Sequence, residues 1–271
     1  MATRLFEGKE HASYYQKFRF EPSQEIIDLI FSYVDERLPK PYGFAVDVGC
    51  GSGQNTRILS PYFEKVLGTD ISEAQLEETK KAQGSPNVTY SLCPAEKVPV
   101  GDVSVDLLTA SAAAHWFNIE KFLKEVDRIL KPGGCLAFFS YLPYMEIHYK
   151  DRSEQMTQVF AEIEATLAPY EHEKFEHLRN GYKEIYEAIP YPDKRRIENI
   201  VTKIRMPLAG LMGLIQTFSM FQTYLRTEPE EAKEMIRTVE ERFLQIIGTS
   251  SIETEVELCF QNFLVLASKP Q

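Results

Sequence analysis

Two aspartates and three glycines give this sequence its first chemistry. Asp47 lies near the end of the apolar run FAVDV, and Gly49, Gly51 and Gly53 follow in the turn GCGSG. Glycines at alternate positions open backbone angles closed to other residues and let a ligand press against the main chain. The spacing is G-x-G-x-G, not the G-x-G-x-x-G that packs a helix beside a pyrophosphate. Asp70 closes the next apolar run, KVLGTD. A carboxylate there can accept both hydroxyl protons of a ribose, and one just ahead of the turn suits an ammonium group better than a phosphate. A nucleoside with a cationic amino-acid tail satisfies both acids, which makes S-adenosylmethionine the expected ligand.

The elements around these residues must present them at the end of a sheet. Strands are predicted over 44–48, 65–70, 87–93, 105–111 and 135–141, with helices over 22–38, 54–60, 72–84 and 118–130. Ile26, Ile27, Ile30, Val34 and Leu38 recur at helical spacing. Ser72 with Gln75 matches a capping box, and Asn118 is a good N-cap. Strands alternating with helices imply a parallel sheet covered on both faces, and such sheets bind ligands beyond the carboxyl ends of their strands. After Pro143 the pattern changes. Residues 151–189, 207–225 and 228–247 read as helices, the last with a Thr227–Glu230 capping box, and 195–206 and 253–269 read as strands. The expected organisation is one domain over 1–271: a cofactor-binding core with an N-terminal lid over 1–142, a mainly helical substrate cover with one strand over 143–250, and a final sheet strand over 251–271.

Composition narrows the classes of function. The 271 residues are 44% apolar and 26% charged, with a net charge of −10. That balance and the lack of a basic cluster argue against a nucleic-acid partner. Neither a long apolar run nor a secretory signal is present, so no membrane partner and a cytoplasmic location are expected. Cys50, Cys93, Cys135 and Cys259 are scattered without metal-binding spacing, so no metal is expected and buried thiols are the simpler reading.

Residues ~10–140 resemble the class I S-adenosylmethionine-dependent methyltransferases, through VDVGCGSG, GTDIS, CPAEKVP, SVDLLTASAAAHWF and ILKPGG. AHWF and GLIQTFSMFQTYLRT look closest to the small-molecule enzymes of the trans-aconitate methyltransferase type. The resemblance implies a Rossmann-like, seven-stranded, mostly parallel α/β sheet with helices on both faces and a helical cover built from C-terminal insertions. It implies that Gly49, Gly51 and Gly53 line the methionine portion of S-adenosylmethionine and that Asp47 orients its ammonium. Asp70 would hold the ribose, and Ile71, Ala95 and Glu96 would meet the adenine. Ser111 and Ala112 would follow the fourth strand into the pocket. YYQKFR resembles a Y-x-x-x-R element that closes over the cofactor, with Tyr15 and Arg19 matching and Phe20 standing where a proline is often found.

The acceptor is left open by these motifs. His115 and Trp116 lie just past the fourth strand, where an acceptor would meet the methyl group, and His115 is the candidate base. Tyr141, Tyr144, Arg205 and Tyr224 are candidates to face the acceptor from the cover. The expected function is methyl transfer to a small molecule, with O-methylation of a carboxylate held by Arg19 or Arg205 as one form. The alternatives are a noncatalytic cofactor-binding protein, a methyltransferase acting on protein or RNA, and a nicotinamide-dependent oxidoreductase. Either a monomer or a homodimer fits. His148, His172 and His177 are read as solvated.

Overall fold

A computed structural model describes residues 6–82 and 84–271. Its strands are β1 (Tyr42–Val48), β2 (Phe63–Asp70), β3 (Val88–Leu92), β4 (Val105–Ser111), β5 (Leu130–His148), β6 (Lys194–Pro207) and β7 (Glu255–Ser268). The helices are α1 (Lys9–Phe18), α2 (Gln24–Asp35), α3 (Gln54–Leu59), α4 (Glu73–Thr79), α5 (Ile119–Ile129), α6 (Ser153–Leu167), α7 (Glu176–Arg179), α8 (Lys183–Ala188), α9 (Leu208–Gln216), α10 (Ser219–Thr227) and α11 (Pro229–Ile247). All seven strands form one sheet in the order β3-β2-β1-β4-β5-β7-β6. β1 to β5 pair in parallel, and β7 is antiparallel to both β5 and β6. The strand order reverses between β1 and β4, which opens a crevice beyond their carboxyl ends.

Alternation along β5 sorts the core into two layers. Cys135, Ala137 and Phe139 face α2, where Ile26, Ile30 and Val34 are buried. Leu136 and Phe138 face the opposite layer with Phe122 and Val126 of α5. Successive strand side chains point to opposite faces, so both faces of β5 must be apolar. The two helices start where short polar side chains cap them. Ser23 Oγ accepts from the Ile26 amide at 3.4 Å, and Asn118 Oδ1 accepts from the Lys121 amide at 3.1 Å.

Several element boundaries differ from the sequence reading. β5 absorbs the KPGG segment as an irregularity, because Val105 pairs with Leu130 and Leu107 then pairs with Cys135. It also runs on to His148, since β7 is long enough to pair with it that far. Residues 207–225 split into α9 and α10, with the Thr217 hydroxyl donating to the Leu214 carbonyl at 2.6 Å. Residues 151–189 break into α6, α7 and α8, and α4 stops at Thr79. Only half of the Ser72–Gln75 box forms: Ser72 Oγ accepts from the Gln75 amide at 3.2 Å, while Gln75 Oε1 is buried without a partner. The Thr227–Glu230 box does not form. α11 starts at Pro229, and the Thr227 hydroxyl turns back to the Thr223 carbonyl at 2.6 Å.

Among the described residues, no helix is long and apolar enough to cross a membrane.

Candidate active site

A cavity of about 640 Å³ occupies the crevice at the ends of β1, β2 and β4. Gly49, Gly51, Asp70 and Ile71 line one side, and Ala95, Glu96, Ser111 and Ala112 line the other. Gly49 has φ +67°, and a Cβ there would stand 2.6 Å from the Ala113 side chain and 3.0 Å from Phe117. Only glycine fits that position. Gly53 also has positive φ, but it packs on Tyr90 and Arg57 and lines none of the cavities described here. Glu96 has a structural duty as well, accepting from the Asn118 amide at 2.7 Å.

The two aspartates occupy different environments. Asp70 Oδ2 accepts from the Gly51 amide at 2.8 Å, and Oδ1 accepts from the Ser72 amide at 2.8 Å. The residue borders the large cavity. Burial raises its pKa, against backbone donors from Ser72, Gly51 and Ile71 that lower it. Asp47 is fully buried. Its Oδ1 accepts from Asn55 and Thr109, each at 2.7 Å, and its Oδ2 accepts from Thr56 at 2.6 Å. Desolvation raises the Asp47 pKa, and these three donors pull it back. Asp47 therefore clamps α3 and β4 to the glycine turn.

Next to the large cavity lies a smaller one of about 70 Å³, shared by Tyr15, Arg19, Gly49 and Gln54. Arg19 stacks over Tyr15 at 4.9 Å and Phe218 at 5.5 Å. It donates to the Tyr141 hydroxyl and, at 3.3 Å, to the Thr217 carbonyl. Its Nε is buried without a partner, and so is Gln54 Nε2. His11 Nε2 reaches the same Thr217 carbonyl at 3.1 Å, so this nitrogen carries the proton. Two side chains from the N-terminal segment thus hold the junction between α9 and α10 in the helical cover.

A third space, about 60 Å³ in volume, adjoins both. Ala112 borders all three and has φ +49°, a left-handed conformation that strains a non-glycine residue. His115, Trp116 and Tyr141 line this chamber with Phe175 and Phe218. His115 is buried, and its Nδ1 lies 2.6 Å from the Tyr182 hydroxyl. Desolvation lowers its pKa to about 3, helped by His177, Lys174, Arg19 and His172. A group that weakly basic is a poor proton acceptor near neutral pH, which argues against the sequence expectation of a histidine base.

Other expected acceptor contacts lie elsewhere. Arg205 is on exposed β6, 3.5 Å from Glu257. Tyr144 is 60% exposed, and its hydroxyl accepts from Arg179 at 3.3 Å. Tyr224 is buried in a stack with Tyr170, 4.5 Å between ring centres. None of the three lines the chamber, because the register of the cover turns them outward or into its own core. His172 contacts the edge of Trp116, and His177 lies 2.7 Å from Glu184. His148, Glu146 and Cys259 bring potential ligand atoms within 4.8 Å of one another on β5 and β7, a grouping that linear spacing conceals.

The structure adds residues that the sequence did not single out. Phe6 borders the large cavity and the chamber, and packs edge-on to Tyr15 and Trp116. Gln75 Oε1, Gln54 Nε2, Arg19 Nε and Ser140 Oγ are buried polar atoms without partners around these spaces. Such atoms carry a desolvation penalty that a ligand can relieve. The set fits a nucleoside joined to an amino acid: Asp70 and Gln75 offer acceptors at one end, and Arg19 and Gln54 offer donors for a carboxylate at the other.

Comparison with known proteins points to the same class of chemistry. Residues 46–138 match the methyltransferase domain family. A Dictyostelium discoideum protein described as a methyltransferase is 27% identical over 256 residues, covering 94% of this chain and 92% of that one. The trans-aconitate 2-methyltransferase of Variovorax paradoxus is 31% identical over 160 residues, 58% of this chain and 54% of that protein. A solved structure from Anaeromyxobacter dehalogenans, described as a type II methyltransferase, shares the fold with a TM-score of 0.72 and 24% identity, covering 93% of this chain and 100% of that one.

Proposed function

We propose that this chain, a class I S-adenosylmethionine-dependent methyltransferase, methylates a small molecule taken into the chamber behind Ala112. The observation that carries this reading is the chamber itself. It is narrow and mostly apolar, and it meets the cofactor cavity at Tyr15 and Ala112, which border all three spaces. The aromatic rings of Phe6, Trp116 and Phe218 that line it favour a small molecule over a folded protein surface or an RNA strand.

S-adenosylmethionine, when bound, supplies an electrophilic methyl group on a sulfonium sulfur. In our assignment Asp70 and Gly51 take the ribose side, with Ile71, Ala95 and Glu96 beside the base. Arg19 and Gln54 neutralise the amino-acid carboxylate, and Gly49, Ser111 and Ala112 form the floor of that end. Asp47 and Gly53 act through the turn, by keeping its backbone in place. Tyr15, Phe6 and Trp116 exclude water from the junction. Orientation in such an enclosed site can lower a barrier by ~7–11 kcal/mol.

O-methylation of a carboxylate is the second reading. Arg19 favours it, since its buried Nε lacks a partner, and the named relative from Variovorax acts on trans-aconitate. Arg205 does not contribute, given its exposed position. Release of S-adenosylhomocysteine on a panel of small amines, alcohols and acids tests the main reading. Methyl incorporation confined to protein or RNA fractions would overturn it.

A further inference from the structure

Glu164 stands on α6 and lines the chamber. Its helix neighbours Ile163 and Leu167 are buried, so the carboxyl emerges among hydrocarbon and aromatic rings. No hydrogen bond or ion pair reaches it among the described residues. The contrast with Glu162 on the same helix is clear, for that residue pairs with Arg242 at 2.6 Å. The cation whose charge acts on Glu164 is Arg179, which is already held by both oxygens of Glu171 at 3.2 and 2.7 Å. Of the other ionisable groups lining the chamber, His115 is neutral and Arg19 is engaged with Tyr141 and Thr217. Burial raises the Glu164 pKa to about 7, Arg179 lowers it, and Glu171 raises it.

An unpaired carboxylate lining the same chamber as Trp116 and Phe175 suits a cation. An ammonium gains a charge-assisted hydrogen bond from the carboxylate and a cation–π attraction from the rings. A carboxylate ligand would meet a like charge in a poorly solvated space, and a neutral hydroxyl would gain less. Resting on the small-molecule reading, we infer that the acceptor is an amine and that Glu164 receives its ammonium group and takes one proton from it. One N–H bond is exchanged for one O–H bond on a Glu164 carboxylate oxygen. Both charges vanish, and the nitrogen keeps a free lone pair. Loss of both charges is favoured where water is scarce. Glu164 thus supplies the proton-accepting group that His115 cannot.

The test uses matched probes on the full chain loaded with S-adenosylhomocysteine. The first set is 3-methylbutylamine, 3-methylbutanol and 3-methylbutanoate, and the second repeats the three head groups on a benzyl skeleton. Calorimetry should show the amine binding at least about tenfold more tightly than its twins in one set or both. Glu164→Gln should erase that preference while melting temperature and S-adenosylhomocysteine affinity stay unchanged, and Glu164→Asp should restore part of it. A carboxylate that binds best, an amine preference that survives Glu164→Gln, or amines that bind in neither set would each overturn the assignment. A carboxylate that binds and is methylated leaves the small-molecule reading standing. Methyl incorporation only into macromolecules, with no probe bound, removes both.

Discussion

Asp47 pairs in register with Gly68 on β2, so Asp70 projects two residues beyond the level of Asp47 toward the cavity. That offset separates their work. Asp70 lines the large cavity and is held only by backbone amides, while Asp47 is consumed by the side chains of Asn55, Thr56 and Thr109. Asp70→Ala is therefore expected to weaken S-adenosylmethionine binding by about 1.5–3 kcal/mol, the scale of hydrogen bonds to a charged group, on top of a stability cost from the Gly51 and Ser72 amides it leaves unpaired. Asp47→Ala should instead cost about 1–3 kcal/mol of stability, because it leaves buried donors unpaired. Calorimetry and urea titration on the two variants separate these effects, and the reverse pattern would refute the division of roles.

The glycine turn gives a second comparison. Gly49→Ala meets Ala113 at 2.6 Å, whereas Gly51→Ala meets nothing closer than Tyr15 at 3.5 Å. Both positions have positive φ, so each substitution carries about 1–2 kcal/mol of left-handed strain. Gly49→Ala adds a clash and should be the more destabilising of the two in urea unfolding. Equal losses would mean that the turn can shift to absorb the extra methyl.

The pH profile of turnover should not carry the mark of His115. A pKa of about 3 leaves its ring neutral throughout the working range. Glu164 titrates near 7 by the same physics of burial, acting here on an acid. If its carboxylate receives the acceptor, kcat/KM should rise with pH through about 7. Glu164→Gln should remove that inflection, and His115→Gln should keep it. An inflection lost with His115 instead would return the proton transfer to the histidine.

His11 links stability to pH. Desolvation holds its folded pKa at about 4, below the ordinary 6.5. Above pH 6.5 both folded and unfolded states are neutral there, and no dependence arises. Below it the unfolded chain binds a proton that the folded chain refuses, so stability falls between pH 6.5 and 4. At pH 5 the loss amounts to about 2 kcal/mol. Asp47, Asp70 and Glu164 shift upward and act with the opposite sign, so the useful quantity is a difference between proteins. His11→Gln should lose about 2 kcal/mol less than the parent on going from pH 7 to pH 5 in urea unfolding.

The core of the fold was legible because local signals agreed. FAVDV, KVLGTD and VDLLTAS are apolar to their ends, and the turn between the first two needs glycines that a sequence displays openly. The placements of Gly49, Gly51, Asp70, Ile71, Ala95 and Ala112 follow from short connections at strand ends. The cover was harder. Arg205 could be placed on a strand but not on a face, since the β6–β7 register decides that and one step reverses it. Gln54 and Glu164 gave no signal, and Gln75 gave one only as a helix cap, because each is an ordinary polar residue until the fold sets it at a cavity wall with an atom unpaired. Asp47 does border the smaller cavity, but its hydrogen-bond partners were not legible. The residues that consume it come from α3 and β4, and only the assembled turn brings them together.

The Thr217 carbonyl is shared by His11 and Arg19. One peptide group therefore joins the flap over the methyl donor to the roof of the acceptor's compartment. If α1 must move to admit the donor, that roof moves with it, and an ordered sequence, donor before acceptor, is the expected outcome. Steady-state kinetics should show S-adenosylhomocysteine competing with the donor alone.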